Sequence, residues 1–180
     1  MSRITLVLGG TRSGKSRFAE GLGAKHKGTK HYIATAEAFD EEMKARIAAH
    51  QWRRGAGWGT REAPLDLVEV LAECGKDFVL IDCITIWLGN LMHHGRDVAK
   101  AIADLCQALR RSDARIVLVS NEVGLGIVPD NAMARSFRDA QGIANQHLAE
   151  LANEVIFVVA GLPLVLKKPR RRPASGRTAK

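Results

Sequence analysis

Short apolar runs rich in β-branched residues alternate with segments of helical period along the chain. The predicted strands cover residues 4–10, 30–36, 78–83, 115–122 and 154–161, and the predicted helices cover residues 15–26, 40–52, 85–92, 98–111 and 131–152. Strands that alternate with helices are joined by crossover connections, which favour a parallel sheet. The pattern therefore predicts an α/β fold with a mostly parallel sheet and helices on both faces.

The segment between the second and third predicted strands carries a weaker signal. Residues 54–64 read RGAGWGTREAP, with turn residues but also Trp58 and Glu62 at strand-like spacing, so a short extra strand is expected here. The sequence shows no internal repeat and no Pro/Gly linker before Lys167. We therefore expect one domain over residues 1–167 and a separate tail over residues 168–180.

The charge of the chain is concentrated in that tail. The 180 residues carry a formal net charge of +8, and three lysines and four arginines lie from Lys167 onward without an acid, so the remainder is close to neutral. A segment with so few apolar residues cannot offset its ordering entropy and is expected to be disordered. A solvated extension is the favoured interpretation, and an arm that binds nucleic acid or an acidic partner is the alternative.

Three isolated cysteines and the amino-terminal sequence bear on the compartment. Cys74, Cys83 and Cys106 are odd in number and far apart, which favours buried thiols in a reducing cytosol. MSRITLVLGG enters a strand without a signal-like segment, and the longest apolar run is broken by Gly and Pro. The expectation is a soluble, cytoplasmic protein without a membrane span.

A phosphate-binding motif follows the first predicted strand and directly precedes the first predicted helix. GGTRSGKS fits the pattern GxxxxGK[ST] and comprises Gly9, Gly10, Thr11, Arg12, Ser13, Gly14, Lys15 and Ser16. Glycines let backbone N–H groups converge on phosphate oxygens at a helix N-terminus, and the lysine neutralises the outer phosphates. The context indicates a nucleoside triphosphate site rather than a turn that merely caps a helix.

Two oxygen-bearing side chains are candidate ligands for Mg²⁺. The Ser16 hydroxyl closes the phosphate-binding motif, and Asp82 ends the apolar strand FVLID, where the metal-contacting acid of such proteins is expected. A single Asp after a strand is otherwise a common cap or turn residue, so the assignment of Asp82 depends on the phosphate loop.

The predicted helix at residues 40–52 carries an unusual stripe. Arg46, His50 and Arg54 are spaced four residues apart and would share one face if the helix continued that far. Neighbouring cations lower the pKa of an imidazole, so His50 is expected to be neutral and nucleophilic. An ordinary exposed basic face is the alternative. The other five histidines have no such setting and are interpreted as structural or surface residues.

Residues 121–152 follow a predicted strand, so their beginning is expected at the carboxyl end of the sheet, where doubly wound folds bind ligands. Arg135, Arg138 and Asp139 lie within two turns of the predicted helix start. They suit an anionic substrate or a salt-bridged helix face, and the sequence does not distinguish these interpretations.

Together these blocks resemble the bifunctional adenosylcobinamide kinase/adenosylcobinamide-phosphate guanylyltransferase family of cobalamin biosynthesis. The resemblance spans essentially residues 3–167 and rests on GGTRSGKS, YIATAEAFDEEMKARIAAHQWRR, WGTREAP, LIDCITIWLGNL and NEVGLGIVPDNAMARSFRDAQGIANQHLA. It implies a P-loop NTPase fold similar to RecA. It further implies phosphorylation of the corrinoid's aminopropanol arm by ATP or GTP, followed by GMP transfer from GTP through a guanylyl-histidine.

The resemblance also assigns residues and an assembly state. His50 matches the guanylylated histidine, and a homotrimer acting on a corrinoid small molecule is implied. Beyond the phosphate loop and Asp82, the implied nucleotide contacts are Ala34, Thr35, Ala36, Gln51, Trp52, Arg53, Arg54 and Glu62. The basic tail departs from the family pattern.

Two other functions compete with this interpretation. A plain small-molecule kinase would use His50 to bind phosphate without a covalent step. A RecA-like nucleic-acid-binding ATPase would use the tail as its arm, but the near-neutral body lacks a basic groove rich in aromatic residues. The sequence thus argues against a nucleic-acid partner.

Overall fold

The computed structural model describes residues 3–37 and 57–168. Its strands are β1 (Arg3–Gly9), β2 (Lys30–Ala34), β3 (Gly59–Glu62), β4 (Phe78–Asp82), β5 (Arg115–Asn121), β6 (Glu154–Val159) and β7 (Leu162–Lys167). Its helices are α1 (Lys15–Ala24), α2 (Leu67–Ala72), α3 (Ile84–His93), α4 (Val98–Arg111) and α5 (Ala132–Leu151).

The seven strands form one sheet in the order β3-β2-β4-β5-β1-β6-β7. Every neighbouring pair is parallel except β6 and β7, which are antiparallel. The carboxyl ends of six strands therefore meet at one edge of the sheet, which we call the carboxyl edge. The prediction of a mostly parallel α/β sheet is confirmed.

Alternating side chains of the central strands build two cores, one on each face of the sheet. Leu6 and Leu118 pack in the larger core with side chains of α2 to α5. Val7 and Val119, their neighbours in sequence, pack in the smaller core with Ala19 of α1. Successive strand residues point to opposite faces, so strands buried on both sides are mostly apolar. The prediction of helices on both faces is confirmed.

Three elements differ from the expectations or refine them. The weakly indicated extra strand exists as β3. Helix α2 and strand β7 were not predicted, the latter because Gly161 and Pro163 interrupt the apolar run. Proline is tolerated in β7 because, among the described strands, β7 pairs only with β6 and lies at the edge of the sheet.

Several sequence-based expectations concern segments outside the described residues. The helix at 40–52 lies there, as do residues 169–180 of the tail, so both stay predictions. The proposed domain boundary after residue 167 falls at the last residue of β7. Within the described ranges, no helix has the length and apolar character needed to cross a bilayer.

Candidate active site

The phosphate-binding motif forms the connection between β1 and α1. β1 ends at Gly9 and α1 begins at Lys15, so the motif's backbone lies at a helix N-terminus as predicted. Two residues of this loop have left-handed backbone conformations, Arg12 with φ of 56° and Gly14 with φ of 96°. A Cβ at position 14 would lie 3.2 Å from the Cα of Gly161, so glycine suits this position on both counts.

Neighbouring strands hold the loop tightly. A Cβ on Gly9 would lie 2.5 Å from the carbonyl oxygen of Val158 and 2.6 Å from the Ser13 hydroxyl oxygen. The Gly161 amide, in the turn between β6 and β7, donates to the Ser13 carbonyl at 2.8 Å. The Ser13 hydroxyl is buried and has no hydrogen-bond partner among the described residues. A rigid cradle with a buried polar atom suits a loop that binds phosphate.

Lys15 lies beneath the loop with only 8% of its surface exposed. Its Nζ donates to the Gly10 carbonyl at 2.8 Å. Burial lowers the pKa of this ammonium, and the negative charge of Asp82 opposes the shift. A desolvated cation held against the phosphate loop interacts more strongly with an anion than a hydrated one does.

Asp82 ends β4 at the carboxyl edge and is anchored through its side chain. The Tyr32 hydroxyl donates to Oδ2 of Asp82 at 3.1 Å. Asp82 is aligned with Val119 of β5, and Val119 is aligned with Val7 of β1, the strand that leads into the phosphate loop. In the described ranges no three His, Cys, Asp or Glu side chains form a metal cluster. The Ser16 hydroxyl and the Asp82 carboxylate are oxygen donors of the kind that Mg²⁺ prefers, and few of them are needed when nucleotide phosphates and water complete its shell.

Four further residues implied by the family resemblance lie together at the carboxyl edge. Ala34 is aligned with Glu62 on one side and with Asp82 on the other. The buried Thr35 hydroxyl donates to the Cys83 carbonyl and accepts from the Cys83 amide, both at 2.8 Å. Ala36 follows directly and is half-buried. The β2 end is therefore joined to the strand that carries Asp82.

The sequence did not reveal two residues that support this arrangement. Tyr32 was missed because an aromatic residue inside a strand resembles an ordinary core residue. Its side chain lies on the face of the sheet that α1 covers. Asn90 was missed within an apolar helix. Its amide donates to the carbonyls of Thr35 and Pro64 at 2.8 and 3.0 Å, and so fixes the segments after β2 and β3. A buried amide among apolar helix neighbours was the available signal.

A cluster of polar side chains from α5 fixes the end of β5. The Gln141 amide donates to the Ser120 hydroxyl and to Oδ1 of Asn145, and the Asn145 amide donates to the Asn121 carbonyl. Asn121 is aligned with Gly9 of the phosphate loop. These bonds join α5 to the end of β5, which lies between the strand that leads into the phosphate loop and the strand that carries Asp82.

Arg135 and Arg138 have structural partners. Arg135 donates to the carbonyls of Pro129 and Asp130 at 2.9 and 2.7 Å. Arg138 pairs with Asp139 at 3.3 Å. Of the two open interpretations, the contacts favour the salt-bridged helix face for Arg138 and a loop anchor for Arg135.

The prediction that the three cysteines are buried free thiols is confirmed. Cys74, Cys83 and Cys106 are all free thiols and all buried. Burial raises the pKa of Cys83 to about 12, so this thiol stays protonated beside Asp82. It therefore acts as a small apolar side chain and not as a nucleophile.

The remaining predicted site residues lie outside the described residues. They are Arg46, His50, Gln51, Trp52, Arg53 and Arg54. Their roles stay predictions, and so does the guanylyl-histidine.

Comparison with known folds gives the architecture. A prototypical ATPase from the type III secretion system of pathogenic bacteria matches with a TM-score of 0.52 at 9% sequence identity. The match covers 91% of this chain, which spans 56% of that protein's length. This likeness concerns the fold and agrees with a RecA-like P-loop NTPase.

Sequence comparison gives the family. Residues 5–166 match the family model described as cobinamide kinase / cobinamide phosphate guanyltransferase. The bifunctional adenosylcobalamin biosynthesis protein CobP of Pseudomonas aeruginosa is 46% identical over 90% of this chain and 96% of its own length. The corresponding CobU proteins of Salmonella typhimurium and Escherichia coli are each 41% identical over 91% of this chain and 99% of their own length. The chain therefore belongs to the cobinamide kinase / cobinamide phosphate guanyltransferase family.

Proposed function

We propose that this protein carries out two successive transfers on one corrinoid. It phosphorylates the aminopropanol hydroxyl of adenosylcobinamide with ATP or GTP, and then transfers GMP from GTP to that phosphate, giving adenosylcobinamide-GDP. The observation that carries the proposal is the buried Lys15 beneath the phosphate loop, with Asp82 at the same edge, in a chain of this family.

The kinase step needs positioning and charge neutralisation more than covalent chemistry. The backbone amides of residues 9–14 would bind the phosphates, and Lys15 would move from the Gly10 carbonyl to a phosphate oxygen. The substrate hydroxyl oxygen attacks the γ-phosphorus and loses its proton to solvent, and the bond between the γ-phosphorus and the β-phosphate oxygen breaks. The desolvated surroundings of Lys15 strengthen its interaction with the charge that develops.

Mg²⁺ would be held by the Ser16 hydroxyl and the Asp82 carboxylate. When bound, it supplies neutralisation of the phosphate oxygens. Tyr32 would orient Asp82 for this role through the hydrogen bond to Oδ2. Such outer partners typically keep a ligand in its binding orientation.

The guanylyl step would use His50 as the nucleophile. A ring nitrogen attacks the α-phosphorus of GTP, a nitrogen–phosphorus bond forms and pyrophosphate leaves. A phosphate oxygen of the corrinoid then attacks the same phosphorus and releases the histidine. Arg46, Arg53 and Arg54 would hold phosphate charge around the nucleophile. Gln51, Trp52, Ala34 to Ala36 and Glu62 complete the proposed nucleotide contacts.

The proposal includes a homotrimer, in agreement with the family resemblance. Strand β7 offers support, because Leu162, Leu164 and Leu166 expose large apolar side chains at an unpaired sheet edge. Soluble monomers usually protect such an edge. Sedimentation of the purified protein tests this part of the proposal, and a monomer at micromolar concentration would contradict it.

Mass spectrometry of the intact protein after incubation with GTP and Mg²⁺ tests the covalent step. We expect an added GMP and a later loss of that mass when adenosylcobinamide phosphate is supplied. An unmodified protein that still phosphorylates cobinamide would be a plain kinase, and the guanylyl-histidine would be rejected.

A further inference from the structure

A loop of exposed apolar side chains lies between β5 and α5. We call residues 123–133 the apolar loop. Leu125 is 83% exposed, Ile127 is 97%, Val128 is 61% and Met133 is 75%. Four large apolar side chains that face water within one short loop are unusual and indicate a binding surface.

The apolar loop is held in a defined shape. The Glu122 carboxylate accepts from the Gly124 amide at 2.5 Å at its beginning. At its end, Asn131 caps α5 by accepting from the Ala134 amide at 2.7 Å. Arg135 reaches back to the Pro129 and Asp130 carbonyls. A surface fixed at both ends loses less entropy when it binds a ligand.

The base of the loop touches the phosphate site. The Glu122 amide donates to the Gly9 carbonyl at 3.1 Å, directly after β5. Since β5 lies between β1 and β4, the loop leaves the sheet between the phosphate loop and Asp82. An acceptor bound on the apolar loop would therefore lie beside the nucleotide phosphates.

We propose that the apolar loop is the docking surface for the corrinoid macrocycle of the acceptor. This inference rests on the proposed function. The nucleotide does not account for the loop, because its phosphates and ribose are polar and its single base is too small to cover four large apolar side chains. The macrocycle does account for the loop, since its faces carry methyl groups. The ring is too bulky to enter the phosphate site, so it would stay on the loop while its aminopropanol arm reaches the phosphates.

A second copy of the chain is the competing occupant. A standard protein interface buries roughly 800 Å² on each partner. Four side chains on one loop fall short of that area, but they match one face of a macrocycle. The contact between Glu122 and Gly9 also favours the acceptor, because docking here places the ring next to the reacting phosphate.

The test compares Ile127→Ser with Ile143→Ser. Both residues are exposed isoleucines, and Ile143 lies on α5, outside the apolar loop, with 52% exposure. For Ile127→Ser we expect the KM for cobinamide to rise about tenfold, as for loss of one buried apolar side chain. The KM for the nucleotide and the guanylylation of the enzyme by GTP should stay unchanged, because neither step needs the macrocycle. Ile143→Ser should match the wild type in every measurement.

Binding is measured separately by equilibrium dialysis with cobinamide, using its visible absorbance, and the assembly state by sedimentation. An unchanged KM and dialysis constant in both Ile127→Ser and Leu125→Ser would overturn the docking surface. A change in assembly accompanying the loss of binding would identify the loop as a contact between copies and would also overturn it. If the wild type itself neither binds nor phosphorylates cobinamide, the proposed function fails, which is a different result from a defect confined to the variants.

Discussion

The Tyr32 hydroxyl donates a hydrogen bond to the Asp82 carboxylate at 3.1 Å across two adjacent strands. Tyr32 is 4% exposed, and its ring packs in the smaller core with Val119 and Ala19. The core therefore sets the orientation of the acid proposed to contact the metal. A side chain locked by packing holds its partner more precisely than one on a loop.

Tyr32→Phe tests this link. The substitution keeps the ring in the core and removes only the hydroxyl, so folding should be little affected while Asp82 loses an orienting donor. We expect kinase turnover to fall about tenfold and the Mg²⁺ concentration for half-maximal rate to rise, as for other outer partners of metal ligands. Rates measured across a Mg²⁺ titration decide this, and an unchanged titration curve would show that the Tyr32 bond has no part in metal binding.

Substitutions at two adjacent glycines, Gly9 and Gly10, test how tightly the phosphate loop is packed. In Gly9→Ala the new methyl group meets the Val158 carbonyl and the Ser13 hydroxyl, whereas in Gly10→Ala it meets no atom of the described residues within 4 Å. We expect Gly9→Ala to lower the free energy of unfolding by about 1–3 kcal/mol, the usual cost of overpacking. Gly10→Ala should stay within about 0.5 kcal/mol of the wild type. Urea unfolding measures both, and equal stabilities would contradict the described packing.

The pKa of Lys15 predicts a stability effect that depends on pH. Burial lowers this pKa in the folded state below its ordinary value of 10.5, so the charged ammonium reduces stability at every pH below the folded pKa. The penalty disappears as pH rises from the folded pKa toward 10.5. Lys15→Met should therefore abolish both transfers yet raise the melting temperature of the nucleotide-free protein near neutral pH, by an amount that shrinks at alkaline pH.

Lys27→Met provides the control, because Lys27 is exposed. Melting curves of both variants between pH 7 and about 10.5 should show a pH-dependent difference from the wild type for Lys15→Met alone. A Lys15→Met protein less stable than the wild type at pH 7 would mean that the bond to Gly10 outweighs desolvation.

Local sequence patterns were sufficient to predict the strands that are buried on both faces and the loop proposed to bind phosphate. β1, β4 and β5 are continuous apolar runs, and the phosphate loop follows from glycine spacing before a helix. β7 was missed because Pro163 normally argues against a strand. Only the pairing with β6 at the sheet edge makes it acceptable there, and that pairing is not visible in a local pattern.

The supporting contacts of the site were beyond sequence analysis for a related reason. Asn90 reaches carbonyls 55 and 26 residues away in the chain, and Tyr32 reaches a carboxylate 50 residues away. Such partners depend on strand order, and the sequence did not give the order in which β2, β4 and β5 are arranged. The roles of Ala34, Thr35 and Glu62 came from resemblance, and the register of β2 with β3 and β4 explains why they lie together.

His50→Ala is the prediction on which the second transfer depends. In the proposed mechanism, guanylyl transfer is the only step that uses a protein nucleophile, whereas the kinase step passes phosphate directly to a hydroxyl. The variant should therefore lose guanylylation and keep most of its kinase activity.

A phosphorus–nitrogen bond is labile in acid and comparatively stable in base, because protonating the nitrogen makes it a good leaving group. Wild type treated with α-labelled GTP should carry label that acid removes, and His50→Ala should carry none. Lys27→Met serves as the labelled control. Label on His50→Ala at the wild-type level would assign the nucleophile to another residue, and Arg46, His50 and Arg54 would then be an ordinary basic helix face.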